Sequence, residues 1–407
     1  MLIVQKYGGT SVGNIDRIRN VARRVAKTKD EGNDVVVVVS AMGDTTDYLV
    51  ELAEQISKNP PKREYDLLLS TGEQISIALL SMALHEMNYK SIAFTGAQVG
   101  ILTTSEHTEA KILDINVDKI KKELSEGKIV IVAGFQGVTK DGDITTLGRG
   151  GSDTTAVALA AALKADLCEI YTDVKGVFTG DPRIIKNARK LDVINIDEVL
   201  ELASVGAQVL HPRSVIFSKK YKVPLVVRSS FEDDPGTKIV EDIMEGLVVT
   251  GVAVKSDEAK VTVLDVPDVP GIAAKLFSLV ANEKINVNMI VQGTSRNGLS
   301  EINFTIPKKD LVSIKNIEDK IISAIKCSKI IYDSDIAIVS VVGTGMRSHY
   351  GVAATVFEVL ANKSINIEMI STSEIKISVV VRKDRAEEAA NALHEAFKLS
   401  EVEIKQV

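Results

Sequence analysis

Hydrophobic and polar positions along the first 240 residues form a pattern that predicts alternating strands and helices. Short β-branched runs such as VVVVVS and KIVIVAG are separated by longer segments whose apolar residues recur every three or four positions. The runs at residues 35–40, 128–134, 167–173 and 223–230 are rich in consecutive apolar residues, which is typical of parallel strands buried on both faces. The pattern predicts an α/β unit in which helices sandwich a mostly parallel sheet.

The pattern changes near residue 240 and then repeats. The stretches GIAAKLFSLVANEKINVNMI at 271–290 and GVAATVFEVLANKSINIEMI at 351–370 match at ten of twenty positions. Each predicts a glycine turn, a helix and a strand, which fits a duplicated ferredoxin-like βαββαβ unit. The apolar matches are explained by a core, but a helix start after glycine also leaves backbone N–H groups that can bind a carboxylate.

Composition narrows the class of partner. The 407 residues are 45% hydrophobic and 26% charged, which is typical of a folded chain with two or three domains. The net charge is -6, no basic block occurs, and no apolar run reaches roughly 18 residues, so neither nucleic acid nor a membrane is expected as a partner. Two lone cysteines, Cys168 and Cys327, and an opening without signal-peptide features predict a cytoplasmic protein.

Three glycine turns follow predicted strands, at 6–13 (KYGGTSVG), 40–47 (SAMGDTTD) and 147–154 (LGRGGSDT). Ligands of parallel sheets bind beyond the carboxyl ends of the strands, so we expect these turns to outline one site. Adjacent glycines let backbone N–H groups approach phosphate oxygens, and Lys6 adds a positive charge. One such turn alone would more often be structural, and neither a P-loop nor a G-x-G-x-x-G motif is present.

The histidines give no sign of a catalytic base. None of the five stands in a Ser-His-Asp or Cys-His arrangement that the sequence can support. If the phosphate acceptor were a carboxylate, no base would be needed, because a carboxyl group with a pKa near ~4 is already ionised at neutral pH. Positioning and charge neutralisation would then supply the rate.

Six segments, in order along nearly the whole chain, resemble the motif set of aspartate kinases in the amino acid kinase superfamily. They are KYGGTS, STGEQ, LGRGGSD, YTDVKGVFTGDPR, VLHPRS and STSEIKIS. The resemblance implies an amino acid kinase catalytic domain at 1–240, followed by two ferredoxin-like ACT domains at 246–330 and 331–407. ACT domains of this family bind feedback amino acids and pair across subunits, so a homodimer or larger homo-oligomer is expected.

The resemblance also implies the reaction. ATP with Mg²⁺ would phosphorylate the β-carboxylate of L-aspartate to 4-phospho-L-aspartate, the first step of lysine, threonine and methionine biosynthesis. Feedback inhibition would come from lysine, with or without threonine.

Site residues follow from the matching motifs. Lys6 would neutralise the transferring phosphoryl group, and Asp153 would orient Lys6 or reach the Mg²⁺ shell through water; no direct metal ligand is assigned. Arg149 would bind the α-carboxylate of aspartate and Glu73 its α-ammonium. The other substrate residues would be Thr45, Gly150, Gly151 and Ser152. The nucleotide would contact Lys6, Gly8, Gly9, Thr10, Ser40, Thr172, Asp173, Phe178 and Arg183.

The effector site implied by the resemblance lies at the turn before the first repeated helix. Its residues would be Asp268, Gly271, Ile272, Ala273, Ala274, Asn288 and Gln292. The matching edge of the second repeat offers Asn366 and Ile367. Two positions depart from the family pattern: Gln208 stands where some members carry lysine, and Tyr350 replaces the proline that usually precedes the glycine.

Simpler interpretations exist for three of these residues. Asp153 would also suit a helix cap, and Glu73 would also suit an exposed acid in a first helical turn. Arg183 would also suit an ordinary turn with a solvated side chain.

Three other functions stay open from the sequence. A sister kinase acting on glutamate, acetylglutamate or UMP would use the same turns, although the double repeat and STSEI oppose it. A dinucleotide dehydrogenase would explain the α/β half but lacks the glycine fingerprint. A non-catalytic amino acid sensor would explain the repeats.

Overall fold

The protein is described by a computed structural model that covers residues 1–207, 209–243 and 247–401. The chain forms two compact units. Within the described residues, the first comprises Met1–Val177, Lys190–Ala203 and 209–243, and the second comprises Phe178–Arg189, Ser204–Ala207 and 247–401. The limits 1–240, 246–330 and 331–407 stay predictions, and Gln208 lies outside the described residues.

The first unit alternates strands with helices. Its strands are β1 (Leu2–Tyr7), β2 (Asp34–Val39), β3 (Ser91–Phe94), β4 (Ile101–Thr103), β5 (Ile112–Ile115), β6 (Ile129–Ala133), β7 (Gln136–Val138), β8 (Ile144–Thr146), β9 (Leu167–Thr172), β10 (Val193–Asn195), β11 (Leu225–Ser229) and β12 (Thr237–Val240). Its helices are α1 (Ile15–Asp30), α2 (Thr45–Ile56), α3 (Lys62–Leu69), α4 (Thr71–Glu86), α5 (Asp118–Ser125), α6 (Gly151–Leu163), α7 (Ile196–Ser204) and α8 (Pro212–Tyr221).

Eight strands form the main sheet of this unit, in the order β10, β12, β11, β9, β1, β2, β6, β3. Every neighbouring pair is parallel except β11 and β12. Alternate valines of β2 pack with buried residues of α1 and α4 on one face. Helix α6 contacts β1, β2 and β9 and is buried along most of its length. The predicted mostly parallel sheet between helices is confirmed.

A smaller sheet, in the order β5, β4, β7, β8, lies before the turn that carries Arg149. Residues Lys62–Glu86 are long and apolar enough to span a membrane by length and composition alone. They fold as two helices, α3 and α4, and α4 buries Ile77, Leu80 and Leu84 in the core of the first unit. The helix α4 is therefore a core helix of the first unit.

The second unit contains the repeats. Its strands are β13 (Gly251–Pro267), β14 (Ile290–Gln292), β15 (Leu299–Pro307), β16 (Lys329–Val342), β17 (Met369–Thr372) and β18 (Lys376–Arg382). Its helices are α9 (Ile272–Asn282), α10 (Leu311–Asn316), α11 (Glu318–Ile325), α12 (Val352–Asn362) and α13 (Ala386–Ala396).

One six-stranded sheet runs through both repeats, in the order β14, β15, β13, β16, β18, β17. Residues 258–267 of β13 pair with β15, and residues 251–255 of the same strand pair with 338–342 of β16. The latter part of β16 pairs on its other side with β18. The ferredoxin-like strand order is confirmed for both repeats. Residues 251–255, which fall within the predicted limits 246–330 of the first ACT domain, supply the fourth strand of the second repeat.

Candidate active site

Lys6 and Asp153 form a nearly buried ion pair at the carboxyl edge of the main sheet. Lys6 is the penultimate residue of β1, and its Nζ lies 2.6 Å from Oδ1 of Asp153, with each side chain 12% exposed. Asp153 lies in the first turn of α6, where Gly150 is the N-cap residue and no side chain caps the helix. Asp153 therefore contacts Lys6 and does not act as a helix cap.

The turns after β1 and β2 lie against each other. The Gly43 N–H donates to the Gly9 carbonyl at 3.0 Å, and the Ser40 N–H donates to the Tyr7 carbonyl at 3.1 Å. A Cβ on Gly9 would lie only 3.0 Å from the Ala41 carbonyl oxygen, so this approach requires glycine. Gly8, Gly9, Thr10 and Ser40 are thus brought to one edge, as the glycine turns predict.

The end of β9 joins the same edge. The Gly8 N–H donates to the Tyr171 carbonyl, and the Thr172 hydroxyl donates to Asp173 Oδ1 at 3.0 Å. Phe178 and Arg183 belong to the second unit. There Arg183 pairs with Asp181 at 2.7 Å, and its hydrogen bond lowers the pKa of the Asp181 carboxyl.

Glu73 is a buried carboxylate with one vacant oxygen. It lies in the first turn of α4, is 3% exposed, and accepts a hydrogen bond from the Ala41 N–H at 3.1 Å through Oε1. Its Oε2 has no hydrogen-bond partner within the described part of the chain. Burial raises the pKa of Glu73 to about 8, opposed by the backbone hydrogen bonds. The alternative of an exposed acid is therefore wrong.

Thr45 lies next to Gly72, the residue that precedes Glu73 in α4. It begins α2, and a Cβ on Gly72 would lie 3.6 Å from Thr45 Cγ2 and 2.8 Å from Ala41 Cβ. Gly72 therefore allows the start of α4 to approach the turn after β2 closely.

Arg149 lies in the turn between β8 and α6, with a glycine on each side of it. Gly148 and Gly150 have φ values of 76° and 67°, a region that favours glycine. Arg149 itself is exposed and makes no ion pair or hydrogen bond with the residues that the structure describes. Ser152 packs against Gly134 after β6, where a Cβ would lie 2.6 Å from its Oγ. The start of α6 is thereby fixed to the same sheet edge.

Sequence reasoning missed residues that support this turn. A Cβ on Gly150 would lie 2.2 Å from the His211 ring, and Arg213 donates to the Leu147 carbonyl at 2.8 Å. Burial lowers the pKa of His211, and the Asp153 charge opposes this shift. The motif VLHPRS contains both residues, but the motif alone gave neither of them a role.

The predicted effector positions lie at the glycine turn of the first repeat, in and before the strand that follows its helix, and at the matching edge of the second repeat. Gly271 and Gly351 are the N-cap residues of α9 and α12, with φ values of 89° and 90°. Asp268, Ala274, Gln292 and Asn366 are exposed, Ala273 and Ile367 are half-buried, and Ile272 is buried. The Asn288 amide donates to both oxygens of Glu258, a carboxylate with no exposed surface, at 2.8 Å each.

Three family models match the chain. The amino acid kinase family matches residues 1–229, and ACT domain models match 260–325 and 339–397. The chain therefore belongs to the amino acid kinase family.

Relatives of similar length show which enzymes of the amino acid kinase family this chain resembles. An aspartokinase from Mycolicibacterium smegmatis is 53% identical over 98% of this chain and 96% of its own length. Two crystal structures of E. coli aspartokinase III are each 26% identical over 97% of this chain and 99% of theirs. The R-state complex with aspartate and ADP has a TM-score of 0.84, and the T-state complex with lysine and aspartate has 0.75. Within its family, this protein is an aspartokinase.

This identification excludes the other functions that the sequence left open. An aspartokinase is neither a dinucleotide dehydrogenase nor a non-catalytic sensor, and it is distinct from the sister kinases that act on glutamate, acetylglutamate or UMP.

Proposed function

We propose that this aspartokinase transfers the γ-phosphoryl group of ATP to the β-carboxylate of L-aspartate, giving 4-phospho-L-aspartate and ADP. A β-carboxylate oxygen attacks the γ-phosphorus, and the bond from that phosphorus to the β,γ-bridging oxygen breaks. No proton is transferred, because the acceptor is already ionised. This chemistry requires no catalytic base.

The observation that carries the proposal is the vacant Glu73 oxygen. A carboxylate buried without a partner is costly, and a substrate ammonium would satisfy it. Glu73 is bound to Ala41 just beyond β2, and Lys6 lies near the end of the neighbouring strand β1. An amino acid held at Glu73 would therefore lie on the side of the sheet where Lys6 can neutralise phosphate.

The remaining residues take the roles that the family motifs suggest. Arg149, exposed and without a protein partner in the described chain, would bind the α-carboxylate as a bidentate donor. Thr45, Gly150, Gly151 and Ser152 would surround the substrate. Gly8, Gly9, Thr10, Ser40, Thr172 and Asp173 would line the nucleotide. The nucleotide roles of Phe178 and Arg183, which belong to the second unit, stay predictions of the family motifs.

Mg²⁺ would bind at this site mainly through the phosphates of the nucleotide. No group of three His, Cys, Asp or Glu side chains within the described residues could hold a metal ion. Mg²⁺ commonly binds through substrate phosphates and one or two carboxylates, and Asp153 provides a carboxylate at this edge. When bound there, the ion would neutralise phosphate charge.

We also propose that lysine, alone or with threonine, inhibits the enzyme at the repeats, as part of lysine, threonine and methionine biosynthesis in the cytoplasm. The similar E. coli enzyme binds lysine in its T state. A homodimer or larger oligomer through the ACT domains is expected, and light scattering measures it.

The test is a coupled assay of ADP release together with hydroxamate trapping of the acyl phosphate. Aspartate should support both signals, while glutamate, acetylglutamate and UMP should support neither. Lysine and threonine are then titrated separately and together. ADP release without a trapped hydroxamate would reject the acyl-phosphate product.

A further inference from the structure

Asp66 is a buried carboxylate whose hydrogen bonds are all made to segments next to Arg149. It lies on α3 and has no exposed surface. The Thr108 N–H donates to both of its oxygens at 3.1 and 3.0 Å, His107 Nδ1 lies 2.8 Å from Oδ2, and the Thr146 hydroxyl donates to Oδ1 at 2.6 Å. A buried carboxylate with this many donors is a strong structural anchor.

These donors come from two segments that meet at the Arg149 turn. Thr146 ends β8, three residues before Arg149. Thr108 belongs to the loop beside it, and a Cβ on Gly148 would lie 3.1 Å from the Thr108 carbonyl oxygen. Arg213 joins the same segments again, because its guanidinium donates to the Leu147 and Ala110 carbonyls at 2.8 and 2.9 Å.

The turn itself has little intrinsic stiffness. It places Arg149 between two glycines with positive φ, and glycine has the most backbone freedom of any residue. Since the Arg149 side chain makes no polar contact with described residues, its direction depends on the backbone that carries it.

We propose that Asp66 is a positioning residue for substrate recognition. Its carboxylate fixes Thr146 and the 107–108 loop, and this frame holds the Arg149 backbone where the guanidinium meets the α-carboxylate of aspartate. The inference rests on the proposed role of Arg149. It predicts that weakening the Asp66 frame raises the KM for aspartate and leaves kcat and the KM for ATP nearly unchanged.

Thr146→Val is the decisive variant, because it removes the hydroxyl and keeps the shape. We expect the KM for aspartate to rise about tenfold, which corresponds to the loss of a hydrogen bond to a charged group. Thr145→Val is a matched control: Thr145 precedes Thr146 on β8, is equally buried, and bonds to Thr103 at 2.6 Å. It should leave the KM for aspartate unchanged. Thr146→Ser restores the hydroxyl and should restore the KM.

A double-variant comparison separates this inference from the proposed function. Arg149→Ala should raise the KM for aspartate strongly, and adding Thr146→Val should then have no further effect. If Arg149→Ala leaves the KM unchanged, the role of Arg149 and this inference are both wrong. If Arg149→Ala raises the KM but Thr146→Val behaves like Thr145→Val, only the role of Asp66 is wrong.

Asp66→Asn provides a second route if Thr146→Val does not fold. It keeps the size of the side chain and removes its charge. We expect the same rise in the KM for aspartate with unchanged ADP binding. An equal loss of ADP binding would indicate general damage to the unit and would overturn the positioning role.

Discussion

The two compact units use their polar residues in different ways. In the first unit, Lys6, Glu73 and Asp153 come from distant parts of the chain and meet at one sheet edge. In the second, the repeats bury the same apolar positions, such as Leu276 and Val356 or Met289 and Met369, and differ at polar ones. Asn288 contacts Glu258, while the equivalent Glu368 contacts Lys260 and Arg382.

This difference separates two kinds of constraint. Apolar repetition is enough to build the same fold twice, whereas the chemistry depends on a few side chains brought together by turns. Variants in the first unit should therefore change catalysis, and variants in the repeats should change the response to an amino acid.

Lys6→Ala should distinguish the functions of the two units most clearly, because it should impair catalysis and leave lysine binding intact. It removes the cation that neutralises phosphate and leaves Asp153 nearly buried without a partner, so kcat should fall by about 10³-fold. Calorimetry should still detect lysine binding to the repeats. A variant that keeps a tenth of the normal kcat would contradict the role of Lys6.

Gly150→Ala should give the next largest loss. The new methyl group would meet the His211 ring at 2.2 Å, and φ is 67°, so the start of α6 must shift. We expect kcat/KM to fall by about 10²-fold. Gly142→Ala is the control, because φ there is 89° but no atom lies within 4 Å. It should cost about 1 kcal/mol of stability and leave the kinetics unchanged.

Asn288→Ala should change regulation without changing catalysis. It leaves Glu258 without its amide donor, so the lysine concentration for half inhibition should rise about tenfold. Glu368→Gln alters the equivalent position in the second repeat and should shift inhibition less. Equal shifts in both variants would show that the repeats do not differ in effector binding.

The pH dependence of substrate binding should show the smallest effect. Glu73 must be ionised to pair with the substrate ammonium, and its pKa is about 8. The KM for aspartate should therefore fall roughly eightfold between about pH 7 and pH 8.5, because the ionised fraction of Glu73 rises by that factor. In Glu73→Gln the KM should be higher and lose this dependence. A pH-independent KM in the wild type would contradict the role of Glu73.

The ionisation of Glu73 should improve aspartate binding but lower the stability of the fold as the pH rises. Its native pKa lies above the ordinary value of 4.5, so the fold favours the neutral form and loses stability as the pH rises from 4.5 to about 8. Glu73→Gln should unfold at a higher temperature than the wild type at about pH 8.5, and at a similar temperature at about pH 5.

The sequence predicted the features that local patterns encode. Continuous apolar runs gave β2 and β6, and the glycines at 8, 9 and 150 marked turns that the structure brings to the sheet edge. The burial of Glu73 could not be predicted, because STGEQ is polar and its environment is made by the turn after β2. Asp66 has no local signal, since its donors lie about 40 and 80 residues away.

The strand exchange between the repeats was also beyond sequence reasoning. Periodicity identifies β13 as a strand, but it does not indicate that residues 251–255 and 258–267 serve different repeats. That division depends on pairing with β16, more than sixty residues further along the chain.

Because β13 and β16 each contribute to both repeats, neither repeat of the second unit forms its complete four-stranded sheet alone. A chain that starts after residue 255 would contain the whole second repeat but would lack residues 251–255, the edge strand of that repeat's sheet. An exchange of the second repeat between related enzymes would therefore have to include residues 251–255. The two repeats that are visible in the sequence therefore share strands in the fold, and neither sheet is complete without residues of the other repeat.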